Sequence, residues 1–266
     1  MMGLRKLRFI SSKQIHALSF VIIYLFCVPS VNAQSPSIIA LFGDSISVGR
    51  LPGFGGFGTS TQAGLGNVNF GQPDKLLSSV LNNSNRPSVV VNWGFSASPT
   101  GDSPTLGFQA TAGVNRISSN LAQTKSQLNG SEYYVLILYG TNDFNYGISS
   151  DNTAFNIAVM IDRARAQGFI PVIATLTPRD DQLSQVLVRN PKIISAASGR
   201  GAAVVDQYSI FNNAGGFNLL WDGVHPNQTG YAVIANGWFS YLSQIIPEFG
   251  QSNIVITPLI QLLMDD

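Results

Sequence analysis

Residues 133–143 read Tyr-Tyr-Val-Leu-Ile-Leu-Tyr-Gly-Thr-Asn-Asp. From Tyr133 to Tyr139 the run is apolar or aromatic with no alternation. A strand with one wet face alternates, whereas one covered on both faces does not. The run then stops at Gly140 and turns polar, as a buried strand does where it reaches the rim of a sheet. Working outward, comparable runs occur at Ser37–Phe42, Val89–Trp93, Ile170–Leu176 and Ala202–Val205. Segments with helical spacing alternate with them: Val114, Ile117, Leu121 and Leu128; Ala154, Ile157, Ile161 and Ala164; Tyr231, Ile234, Trp238, Leu242 and Ile245. Strand and helix in alternation predict βαβ crossovers, a parallel sheet of five strands and helices on both of its faces.

The chain of 266 residues carries 45% hydrophobic and 11% charged residues, a composition that argues against disorder. Its formal charge is +1, with no basic stripe or long like-charge run, so no nucleic-acid partner is expected. The first 33 residues read as an export signal: Arg5, Lys6, Arg8 and Lys13, then an apolar stretch from Ala17 to Val28, then Val31-Asn32-Ala33 as a small-residue cleavage site. Residues 1–33 are therefore expected to be a signal peptide, 34–250 the folded domain and 251–266 a tail of no assigned role, in a secreted or periplasmic product. Both Ala17–Val28 and Ile254–Met264 are short of the ~20 apolar residues that span a bilayer, so no transmembrane span is expected.

Cleavage removes the only cysteine, Cys27, and one of the two histidines, His16, leaving His225. A disulfide framework, a thiol nucleophile and a Cys/His metal cluster are thereby excluded from the mature chain. The stretch from Gly49 to Pro73 departs from the alternating pattern. It holds eight glycines in 25 residues, with Phe54, Phe57 and Phe70, and reads equally as a functional loop or as a surface excursion.

In open parallel sheets the ligand site lies beyond the carboxyl ends of the strands. There the chain delivers Gly43-Asp44-Ser45, Gly94, Gly140-Thr141-Asn142-Asp143 and, before the last helical segment, Asp222-Gly223-Val224-His225-Pro226. A serine hydroxyl attacks only when a base takes its proton, and that base needs a partner to hold its tautomer. Ser45 is the candidate nucleophile, His225 the remaining imidazole, and Asp222, three residues before it, the candidate orienter. Ester cleavage also needs donors aimed at the developing oxyanion. The candidates are the backbone N–H groups of Ser45 and Gly94 and the side-chain amide of Asn142. Asp44 and Asp143 read as capping or buried carboxylates that shape turns, and Trp93 and Trp221 as core.

Those four blocks, at 43–45, 92–94, 140–143 and 222–226, resemble in identity and order the SGNH hydrolases, also called GDSL esterases and lipases. The resemblance spans nearly the whole mature chain. It implies a three-layer α/β/α sandwich of flavodoxin-like type, with Ser45 as nucleophile, His225 as base, Asp222 as its orienter, and Gly94 and Asn142 completing the oxyanion hole. Two positions depart from the family pattern. Ile46 stands where the family name expects Leu, and Ala97 and Ser98 follow Ser96 without a glycine.

The expected activity is hydrolysis of a small-molecule or lipid ester, acyl or aryl, through an acyl-enzyme. Neither metal nor organic cofactor is required. The alternatives are a carbohydrate O-acetylesterase acting on an acetylated glycan and an acyltransferase. A non-enzymatic binding protein on the same fold is disfavoured, because a competent residue fills each catalytic position.

Overall fold

The computed structural model describes residues 35–52 and 73–249. The predicted signal peptide, Phe54, Phe57 and Phe70 of the glycine-rich stretch, and the tail from 251 to 266 lie outside the described residues. Five strands form one wholly parallel sheet: β1 (Ser37–Gly43), β2 (Ser88–Asn92), β3 (Tyr133–Leu138), β4 (Ile170–Ala174) and β5 (Ala203–Val205), in the order β2-β1-β3-β4-β5. Each coincides with one of the five apolar runs to within two residues at either end. β1 is buried along its whole length, and β3 is buried from Tyr134 onward, as their lack of alternation requires.

Among the described residues, seven α-helices accompany the sheet: α1 (Ser45–Val48), α2 (Pro73–Asn83), α3 (Gly113–Gln127), α4 (Ser150–Ala166), α5 (Leu183–Ser198), α6 (Gln207–Ala214) and α7 (Gln228–Leu242). α2, α6 and α7 pack in one layer, and α3, α4 and α5 in the other. This is the arrangement that right-handed crossovers impose on such a strand order. The result is an α/β/α sandwich whose core includes Ile39, Phe42, Ile137, Ile161 and Trp238. Among the described residues, no helix is long and apolar enough to cross a membrane.

Two details depart from the sequence reading. The stripe of α7 continues through Ile246, which is buried, and leaves Ile245 at the surface. α5 was not legible because its buried stripe is Val186, Arg189, Asn190, Ile193 and Ala197, polar at its centre, with Pro191 inside the helix. Each of those polar side chains is bonded. Asn190 exchanges two hydrogen bonds with the backbone of Leu176, and Arg189 donates to the Ile148 carbonyl. A hydrophobic period cannot reveal a helix whose inner face is held by hydrogen bonds.

Strand order reverses between β1 and β3, and the chain leaves their carboxyl ends in opposite directions. Such a switch point opens a crevice. The segments leaving β1, β2 and β3 meet there.

Candidate active site

Leaving β1, Asp44 caps the four-residue helix α1: its Oδ1 accepts from the Ile46 N–H at 3.0 Å. Ser45 is thus the first residue of a helix, where backbone N–H groups have no intrahelical acceptor. Its own N–H has none among the described residues. Asp44 is fully buried, its Oδ2 has no hydrogen-bond partner among the described residues, and burial raises its pKa to about 7. It shapes the turn beneath Ser45, as its capping position suggested.

Between the second short 3₁₀ helix (Gly216–Leu219) and α7 the chain forms a closed loop. Trp221 N–H donates to the His225 carbonyl at 3.0 Å, and Leu220 bridges Pro226. Inside it, Asp222 divides its two oxygens. Oδ1 accepts the Val224 and His225 backbone N–H groups at 3.0 and 2.7 Å, and Oδ2 meets His225 Nδ1 at 2.7 Å. The carboxylate therefore fixes both its own loop and the imidazole ring. On the far side of the ring, Nε2 lies 2.8 Å from Ser45 Oγ, across 180 residues of sequence. Trp221 stacks on the imidazole, centroids 5.9 Å apart and planes 23° apart. The expectation of a core tryptophan holds for Trp93, which is buried, but not for Trp221, whose role only the folded loop reveals.

The electrostatics favour a neutral imidazole. Burial pushes the His225 pKa below its ordinary value. The hydrogen bond and charge of Asp222 oppose that shift, and the cations of Arg50 and Arg179 reinforce it. For Asp222, partial burial raises the pKa, but hydrogen bonds from the His225 backbone and ring outweigh it and hold the carboxyl below the usual range.

Leaving β3, Asn142 precedes a 3₁₀ helix (Asp143–Tyr146), and its side-chain amide donates to the Ser98 carbonyl at 3.1 Å. An amide carries two hydrogens, so the second is left for the crevice. Asp143 anchors this loop from below, accepting from Thr100 N–H, Thr100 Oγ1 and Thr153 Oγ1 at 2.6–2.7 Å. That is the structural role read for it.

Gly94 requires a correction. Its N–H donates to Asn92 Oδ1 at 2.9 Å and is committed there. Its lack of a side chain has a steric cause: a Cβ would lie 2.4 Å from Val48 N and 2.7 Å from Ser47 C, so glycine lets the β2 exit press against α1. Three residues on, Ala97 holds a left-handed backbone with φ +59°, and its N–H has no acceptor among the described residues. Alanine accepts that conformation at a cost of roughly 1 kcal/mol relative to glycine. Asn142 is bonded to the very next carbonyl, that of Ser98. The Ala97 N–H is therefore a free backbone donor one residue before the carbonyl that Asn142 holds.

The model of the GDSL-like lipase/acylhydrolase family matches residues 41–233. The chain belongs to that family. It is accordingly a GDSL-type carboxylic ester hydrolase. No curated protein sequence matches it. Among solved structures, a lipase/acylhydrolase from Enterococcus faecalis is 18% identical with a TM-score of 0.61, over 80% of this chain and 98% of that one. The aryl esterase of M. smegmatis is 17% identical with a TM-score of 0.57, over 78% and 99%. An acetylxylan esterase from Geobacillus stearothermophilus is 17% identical with a TM-score of 0.55, over 78% and 94%. At such identities these three share a fold with the GDSL hydrolase described here, and their substrates remain their own.

Proposed function

We propose that this GDSL hydrolase cleaves esters of apolar acyl or aryl groups through an acyl-enzyme on Ser45. The observation that carries the reading is the hydrogen-bonded chain Ser45 Oγ, His225 and Asp222, with contacts of 2.8 and 2.7 Å. Ser45 Oγ attacks the carbonyl carbon while His225 Nε2 takes its proton. The tetrahedral oxyanion is received by the Ser45 N–H, the Ala97 N–H and the free hydrogen of Asn142 Nδ2. Collapse expels the alcohol, which leaves with the proton from His225. Water, deprotonated by the same imidazole, then attacks the acyl-enzyme and releases the acid. Asp222 remains ionised throughout and stabilises the transient imidazolium.

The apolar preference rests on side chains of the loop that leaves β3 and of the loop joined to it where Ser103 Oγ donates to the Tyr146 carbonyl. Phe144 stands two residues beyond Asn142 and is 43% exposed, and Leu106 and Phe108 are 66% and 71% exposed. Large apolar groups displayed in this way mark contact with an apolar partner. The basic start, apolar stretch and small-residue site within residues 1–33 support a secreted or periplasmic location for this chemistry.

The test is a chain-length series of p-nitrophenyl esters run beside acetylated xylan, with an added acceptor alcohol to reveal acyl transfer. The proposal expects kcat/KM to rise from acetate to longer acyl chains, and the free acid to dominate the products. Acetate as the best ester together with efficient deacetylation of xylan would favour the glycan reading. A dominant transesterified product would make the enzyme a transferase.

A further inference from the structure

None of the four sequence blocks lies on the segment that leaves β4, yet that segment touches both halves of the site. Arg179, 7% exposed, reaches across the rim, and its Nη1 donates to the Thr141 carbonyl at 2.8 Å. That carbonyl belongs to the peptide unit whose nitrogen is Asn142 N. The rest of the guanidinium is fixed by a two-pronged pair with Asp181, Nε to Oδ1 at 2.6 Å and Nη2 to Oδ2 at 2.8 Å. One residue along, the Asp180 N–H donates to the Gly223 carbonyl at 2.8 Å, inside the loop that presents Asp222 and His225. Gly223 sits at φ +81°, and a Cβ there would meet Asp180 Cβ at 3.3 Å.

The segment is itself braced. Leu176 is held by both amide atoms of Asn190, and Thr175 Oγ1 donates to Asp206 at 2.8 Å while accepting the Tyr208 N–H at 2.9 Å. A clamp that was merely a loop crossing would not bury an arginine and aim it at one carbonyl.

We propose that Arg179 is a positioning residue for ester hydrolysis, its guanidinium fixing the peptide that carries Asn142 while the adjoining Asp180 backbone ties the His225 loop to the same segment. This rests on the reading of Ser45, His225 and Asn142 given above and deepens it. The arrangement also has an electrostatic side. The charged groups that act on His225 are Asp222 from its own loop, Arg50 from just beyond α1, and Arg179 from the β4 exit. The cations of Arg50 and Arg179 both disfavour the imidazolium and so favour the neutral base. Lysine would preserve that charge and lose the fork, because an ammonium cannot hold Asp181 in two places and Thr141 in a third.

The experiment is a pH profile of kcat and KM on a p-nitrophenyl ester for wild type, Arg179→Ala, Arg179→Lys and Ser45→Ala, with circular dichroism confirming the fold. For Arg179→Ala, kcat is expected to fall about 100-fold, as misplacement of an oxyanion donor does, with KM changed less than about threefold. The acid limb should move up in pH, since loss of a cation raises the His225 pKa. For Arg179→Lys, kcat should fall while the acid limb stays at the wild-type pH, and the contrast with the moved limb of Arg179→Ala separates the fork from the charge. Folded Arg179→Ala with wild-type kcat and acid limb would overturn the proposal while leaving Ser45 in its role. If the alanine variant does not fold, Arg179→Lys decides: wild-type kcat overturns the proposal, and reduced kcat with an unmoved limb supports it. Hydrolysis retained by Ser45→Ala would overturn the underlying reading and this proposal with it.

Discussion

The loop at 222–226 and the segment at 92–98 both serve the crevice, and they do so by opposite means. The first works through side chains: one carboxylate orients one imidazole, and each residue is replaceable by little else. The second works through the backbone, where Gly94 is present for what it lacks, and Ala97 for a conformation that frees its N–H. Residue identity reports the first kind of function directly. It reports the second only through its steric consequences, because every non-proline residue has an N–H to offer.

The comparison is open to attack in order of expected effect. Replacing Ser45 or His225 by alanine should reduce kcat by at least about 10³-fold, since removal of either half of the pair leaves only binding and oxyanion stabilisation. A variant folded by circular dichroism but retaining a tenth of wild-type turnover would break the side-chain half of the account. Next, Asn142→Ala removes one oxyanion donor and should lower kcat about 10²- to 10³-fold with little change in KM. Equal changes in kcat and KM would instead assign Asn142 to substrate binding.

The backbone half is sharpened by a pair of exchanges. Gly94→Ala drives a methyl group to 2.4 Å from Val48 N and should cost about 1–3 kcal/mol of stability, read as a lower urea midpoint, with reduced activity as α1 shifts. Ala97→Gly keeps the N–H and suits φ +59°, so stability should stay within about 1 kcal/mol and activity within about threefold. If the two exchanges behaved alike, the distinction drawn between Gly94 and Ala97 would fail.

Much of this was legible beforehand for a physical reason. Strands buried on both faces leave an unbroken apolar signature, and all five runs, down to Ala202–Val205, became strands. Ser45, Asp222 and His225 were legible because nucleophile, base and orienter demand particular side chains, and of the two histidines His225 is the one with an aspartate three residues before it. Gly94 was misread because glycine suits both an approaching ligand and an approaching helix, and only coordinates tell them apart. Trp221 was read as core because aromatic composition does not distinguish stacking on Ile from stacking on His225. Arg179 left no signal of its reach into the site, since the partner it finds there is a backbone carbonyl 38 residues away.

The central claim is that Ser45 is made nucleophilic by His225. It is tested most directly by the rate at which a fluorophosphonate modifies the protein as a function of pH, with the adduct located by peptide mass. The account predicts modification at Ser45, with a rate that rises through a single acid limb lying below pH 6.5, because burial and the nearby cations hold His225 under its ordinary value. An adduct on another residue, or labelling of Ser45 at a rate that the His225→Ala variant matches, would contradict it.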